Sequence, residues 1–361
     1  MAWTVDDLKN DYQTLRSYLN SATSYSESQY IKRSIYIVSK YIEHLESNSN
    51  SHYIYGEDKD DISVLVSSVF KYKKCFPAII ETTSIAKNND YDFSNVCFNK
   101  DDHNNDISKE DMLDLLHDMF KSCGRKIYKL YSKMEKDRER LVNFNIDENS
   151  SFGVIYPIPI LRKSYISVGT SDNLMKNTLS TLTHEYGHGI GSLINDNRYN
   201  NGNNFSEIES FFFELIGLDC YRKATNDPFY DKLNKKYISN LIMRCNKILN
   251  IENSCEEALS SKTTSYRSIK DNCMKLLTDK GYNYKDEPIN LNLEMSYAYS
   301  ALAALELFYI YKEDKKEAFN ILEKIVNRDK EEDEIDSINN RLILCKSLTK
   351  QIKEIKHVNN D

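Results

Sequence analysis

The sequence predicts a mainly α-helical protein with one small β-region, and three observations carry that expectation. Over 361 residues, Gly (10) and Pro (5) are too scarce to supply the turns an all-β sandwich or barrel needs about every 8–12 residues. Apolar residues recur at three- and four-residue spacings along most of the chain, the period of amphipathic helices. Only between Asn149 and Thr170 does the pattern turn β-branched, aromatic and Pro-broken, which predicts short edge strands.

Taken in order, residues 5–45 read as a helical hairpin, with Leu8, Tyr12, Leu15 and Leu19 on its first arm and Ile35, Val38, Tyr41, Ile42 and Leu45 on its second. The polar stretch from Glu46 to Ser51 predicts a turn, and a second helical region is expected over about 60–84. An Asn- and Asp-dense loop follows to Asp106. One long helix is then expected over about 108–142, with Met112, Leu115, Leu116, Met119, Ile127, Leu130 and Met134 on one broad face. After the strands, helix is expected to resume near Asp172. Further helices are predicted over about 231–278, 291–312 and 315–326, with a loop containing Pro288 between the first two. The division expected is an N-terminal helical region (1–148), a central region (149–330) and a charged C-terminal helix and tail (331–361).

Composition narrows the function classes. The formal charge of −7 argues against a nucleic-acid partner, which favours a basic face. No apolar run reaches the roughly 18 residues of a membrane span, and the first residues lack the basic and apolar stretches of a secretory leader. A soluble, cytoplasmic protein is the expectation. The eight cysteines form no CxxC pair, so they are read as reduced and largely in the core.

One short segment carries the chemistry: Thr183-His184-Glu185-Tyr186-Gly187-His188. Four positions apart on a helix is one face, so His184 and His188 can offer two imidazole nitrogens to one zinc ion while Glu185 projects toward its water. HExxH fixes only three positions and occurs by chance, so context decides. The chain has only seven histidines, two of them here, and Leu179, Leu182, Ile190 and Leu193 give the segment a buried face. A catalytic zinc takes a third protein ligand and leaves a position for water. Downstream, Glu207, Ser210 and Glu214 fall at i, i+3 and i+7 on one helix face. Glu207 opens a run containing Phe211, Phe212 and Phe213, an apolar setting in which a carboxylate needs a partner. It is the candidate third ligand, with Glu209 and Glu214 as alternatives and Glu214 also a candidate for fixing a histidine tautomer.

The segment from Gly169 through His188, together with Glu207-Ile-Glu-Ser210-Phe-Phe-Phe-Glu214, resembles the thimet oligopeptidase and oligoendopeptidase F family, whose motif reads HExGH followed by E-x-x-S-x-x-x-E on a second helix. The likeness is specific over about residues 150–225. It implies a zincin-like helical metallopeptidase holding one Zn2+ per chain through His184, His188 and Glu207, with Glu185 as general base. It implies further that the extended segment 164–169 is the edge strand along which a substrate peptide lies in its cleft. The stretch Tyr297-Ala-Tyr299 resembles the start of the family's tyrosine-bearing helix, so Tyr297 or Tyr299 is implied to stabilise the oxyanion.

The chain also departs from the family. A further His often follows the second ligand by three positions there, whereas Gly191 stands here. Only about 180 residues precede the motif, which suggests a less enclosed cleft. The function expected is a zinc endopeptidase acting on oligopeptides. Its rivals are a gluzincin aminopeptidase, for which no Gly-Ala-Met-Glu-Asn segment is present, a non-catalytic zinc-containing peptide-binding protein, and a helical interaction protein with an accidental motif.

Overall fold

The computed structural model describes residues 3–47, 68–91, 107–146, 153–170, 176–194, 205, 207–260, 266–281, 290–328 and 333–358. The expected turn beyond Ser47, the helix start before Ser68, most of the Asn-rich loop, Asp172 and the loop around Pro288 lie outside them.

The predicted hairpin is present as α1 (Val5–Asn20) and α2 (Tyr25–Glu46). Local chemistry starts both arms: Asp7 accepts the Thr4 N–H at 2.7 Å, and the Ser24 hydroxyl accepts the Glu27 N–H at 3.1 Å. After α3 (Phe76–Asn88) the expected long helix is instead broken. It forms α4 (Lys109–Ser122) and α5 (Arg125–Glu135), then one turn at Arg138–Leu141, then strand β1 (Val142–Ile146). The break falls at Gly124, whose φ of +99° is open to glycine and strained for other residues.

Strands β2 (Gly153–Ile158) and β3 (Lys163–Thr170) follow, and the sheet order is β1-β3-β2. β2 pairs antiparallel with β3, Gly153 opposite Val168 and Ile158 opposite Lys163, while β1 pairs parallel with β3 from Val142 opposite Ile166. The expectation that 164–169 is an edge strand is therefore corrected. β3 is the central strand, its hydrogen-bonding groups taken up on both sides, because residues 142–146, at and just past the end of the expected helix, form a third strand.

The rest is helical: α6 (Lys176–Ile194), α7 (Glu207–Thr225), α8 (Phe229–Ser260), α9 (Tyr266–Asp279), α10 (Leu291–Glu313), α11 (Lys315–Val326), α12 (Glu334–Asn339) and α13 (Leu348–Val358). The fold is mainly α with one small sheet, as predicted. One apolar core runs from Tyr72 to Ile355, and α10 lies inside it, with Ala298, Tyr299 and Leu302 to Leu305 buried on every side. Such a helix reads as apolar all round, without the stripe of a surface helix. A second, smaller core of Trp3, Leu8, Leu15, Val38, Tyr41, Tyr156, Ile158 and Tyr165 seats the hairpin on the sheet. The Trp3 indole N–H donates to the Ile166 carbonyl at 3.0 Å, and the buried Asp11 accepts from the Tyr165 hydroxyl at 2.6 Å and from Lys163 at 2.9 Å.

Among the described residues no helix is long and apolar enough to cross a membrane, and the seven described cysteines are free.

Candidate metal and catalytic site

The HExxH segment lies on α6, and its back is fixed by two tyrosines. The Thr183 hydroxyl, which donates to the Leu179 carbonyl at 2.7 Å, meets the Tyr221 hydroxyl of α7 at 2.6 Å, and the Tyr186 hydroxyl donates to Glu135 of α5. With Thr183 and Tyr186 anchored on one side, the helical period turns His184, Glu185 and His188 to the other. The α7 helix reaches them because Gly187 lacks a side chain. A Cβ there would fall 2.7 Å from the Ser210 Cα, inside any tolerated contact. Gly191 serves the same approach, since a Cβ there would fall 2.7 Å from Oε1 of Glu209. The position where the resembled family often carries a histidine is thus filled by the Glu209 side chain.

Three donor atoms converge in front of this crossing. Nε2 of His184 lies 3.1 Å and Nε2 of His188 3.3 Å from Oε2 of Glu207, and one ligand atom from each residue lies within 4.8 Å of the others. A tetrahedral ion with bonds of about 2.0–2.1 Å separates adjacent donors by about 3.3 Å, so this set fits zinc. Glu209 is not part of it. The carboxylate of Glu214 instead faces the far nitrogen of His184, Oε2 to Nδ1 at 3.0 Å, and its other oxygen accepts from the Ser180 hydroxyl at 2.9 Å. Nε2 is left to point at the cluster, the arrangement by which a carboxylate fixes a ligand tautomer. Ser210 supports the other ligand, its hydroxyl 3.0 Å from both the carbonyl and Oε2 of Glu207.

Burial and charge set the proton affinities. Burial works against a charged His184, yet Glu207 and Glu214 outweigh it and hold the imidazole pKa well above its ordinary value. Burial alone would lift Glu207, but His188 and His184 hold it well below the carboxylate range. Glu185, 5% exposed, is pushed up by burial, with the two histidines opposing. Glu209 is driven by burial to about 7.

Glu185 also touches the sheet. A Cβ at Gly153 would overlap its carboxylate, so the first residue of β2 lies directly against it. Among the described strands β2 pairs with β3 alone, which makes β2 the edge strand that borders the site.

The two tyrosines separate. Tyr299 is fully buried beside Phe205 and its hydroxyl donates to Asn339 at 2.5 Å. Of the two expected alternatives, Tyr299 thus has its hydroxyl engaged by a core partner. Tyr297 is half-buried and packs 5.9 Å from Phe211, whose ring meets the edge of His184 at 5.2 Å. A cavity of about 320 Å³ at the far end of α7, bordered by Leu218, Arg222, Tyr230, Lys312 and Glu354, includes none of these residues.

Sequence reasoning named Glu214 for the histidine tautomer and put Ser210 on the ligand face, but gave Ser210 no role and missed Ser180 and Gly153. Ser180 lies one helical turn before His184 and Ser210 one turn after Glu207, so their spacing was a usable signal; nothing local marks Gly153 as the contact of Glu185.

No protein-family model matches the chain. No curated protein matches it. Solved structures do, at low identity. A candidate oligoendopeptidase F from Bacillus anthracis aligns at 14% identity and a TM-score of 0.48 over 93% of this chain and 62% of its own. PZ peptidase A with an inhibitor aligns at 12% and 0.47, over 97% and 66%, and a candidate peptidase from Chlamydophila abortus at 12% and 0.47, over 96% and 63%. The chain spans slightly less than two thirds of the length of the structures it resembles.

Proposed function

We propose that this protein is a zinc-dependent endopeptidase that hydrolyses peptide bonds in oligopeptides, with His184, His188 and Glu207 holding one zinc ion per chain and Glu185 as general base. The observation that carries the reading is the convergence of the two imidazole nitrogens and the Glu207 carboxylate at 3.1 and 3.3 Å, with Glu185 next to them in a buried position. When bound, the ion would polarise the scissile carbonyl and acidify a water. Glu185 takes the proton of the attacking water and returns it to the leaving amine, the work of one positioned carboxylate. Glu214, backed by Ser180, holds the His184 tautomer, and Ser210 orients Glu207. We assign to Tyr297, not Tyr299, the hydroxyl that donates to the carbonyl oxygen as it gains charge. Substrate backbone adds to the edge of β2, which ties its scissile bond to Glu185 with little dependence on side chains. Free cysteines favour a reducing compartment such as the cytoplasm.

The test is cleavage of an oligopeptide blocked at its N-terminus. Internal cleavage by the zinc-loaded protein is expected, with loss of about 10²-fold or more in Glu185→Gln at unchanged metal content. Cleavage only of peptides with a free amino terminus would replace this reading with an aminopeptidase.

A further inference from the structure

Resting on the peptidase reading, we propose that Arg244 and Lys247 form a carboxylate-binding subsite that anchors one negatively charged group of the bound peptide at a fixed distance from the metal ligands. The two cations lie three residues apart on α8 and converge on one carboxylate of α10. Arg244 Nη1 donates to Oε2 of Glu294 at 2.7 Å, and Lys247 Nζ donates to Oε1 at 2.7 Å. Glu294 is 8% exposed, so it is the buried post of the pair. Two positive charges against one negative leave a surplus, and among the described residues neither cation meets a second carboxylate.

The surplus charge is held in place. The guanidinium lies over the ring of Tyr297 at 4.6 Å, so Arg244 is fixed by a hydrogen bond on one side and by an aromatic face on another. Only one of its five N–H donors is used by Glu294, and about a third of the side chain stays open to solvent. A planar fork of spare donors at a fixed angle matches the two oxygens of a carboxylate.

Its position connects it to the site. Tyr297 packs on Phe211, and Phe211 on the edge of His184. All four residues, His184, Phe211, Tyr297 and Arg244, are partly exposed, so each link from His184 to the guanidinium is open to solvent on some side. Three steps of under 6 Å put the guanidinium no more than about 16 Å from the His184 ring, and an extended peptide advances about 3.3 Å per residue. A carboxylate within about five residues of the scissile bond therefore reaches Arg244. Both the C-terminal carboxylate of a short peptide and an acidic side chain supply that chemistry.

The test is fluorescence anisotropy of labelled hexapeptides on zinc-loaded Glu185→Gln protein, where binding is read without turnover. Three probes are compared: a free C-terminal carboxylate, the C-terminal amide, and the amide with one internal Glu. The carboxylate form that fits is expected to bind about tenfold more tightly than the plain amide, as for a hydrogen bond to a charged group. Arg244→Gln abolishes that preference and leaves the affinity of the amide unchanged, whereas Arg244→Lys, which keeps the charge, retains part of it. Whichever carboxylate probe gains affinity identifies the source. Equal binding of all three probes, no binding of any, or equal weakening of all three by Arg244→Gln overturns the subsite. Carboxylate-dependent binding together with no cleavage by the protein carrying Glu185 would leave the subsite standing and remove the peptidase reading.

Discussion

The carboxylate of Glu185 has its place because Gly153, across the gap at the start of β2, has no side chain. A base that must meet a water and then an amine nitrogen tolerates little displacement; about 1 Å of misplacement costs on the order of 10²-fold in rate. Gly153→Ala is therefore expected to lower peptide cleavage by about that factor while zinc content and helical circular dichroism stay at their original levels. Unchanged cleavage would show that Glu185 does not work from this position. At this scale the sequence was informative where residue type and helical spacing coincide. His184, Glu185, His188 and Glu207 are legible because four- and three-residue spacings on a helix decide which side chains share a face. The contact with Gly153 was not, because it joins a strand to a helix more than thirty positions away and one glycine carries no local mark. Tyr297 and Tyr299 differ by two positions, about 200° around a helix, and only packing decides which of them turns toward the core.

At the scale of elements, the crossing of α6 on α7 brings His184, His188 and Glu207 together, and its cost is a carboxyl group sealed beside Gly191. Burial raises the Glu209 pKa from 4.5 to about 7. The folded-state value is above the unfolded one, so the protonated group favours the fold; its contribution is complete below about 4.5 and is lost as pH rises through about 7. In protein stripped of metal, stability is expected to fall by about 3 kcal/mol between pH 4.5 and 8 on account of this group, and Glu209→Gln should remove that part of the slope. Denaturant unfolding at the two pH values checks it, and identical slopes in both proteins would contradict it. The element types were mostly legible, since the periodicity of α1, α2, α8, α10 and α11 is that of packed helices. Strand β1 was not. Its five residues alternate Val142, Phe144 and Ile146 with two Asn, too short a run to stand out after a helix, and a parallel partner contributed by β3 is a long-range choice that local propensity does not encode.

For the whole molecule, two cores meet at the sheet. The inner one, from Tyr72 to Ile355, packs α6, α7 and α10 behind His184, His188 and Glu207, and the outer one fastens the hairpin of α1 and α2 to β2 and β3 through Trp3, Asp11 and Tyr165. The strand that borders Glu185 is thus the one on which the hairpin rests, so the sheet joins the N-terminal helices to the face that carries Glu185. The proposed function requires that the edge of β2, the three proposed metal ligands and Glu185 act together on one extended chain. The most direct measurement is digestion of a mixed peptide library by the zinc-loaded protein, with Glu185→Gln at matched zinc content as control and products mapped by mass spectrometry. Internal cuts made by the unaltered protein and missing from the control are the predicted result. Cuts that persist in Glu185→Gln, or none from a protein that carries one zinc per chain, would contradict the account.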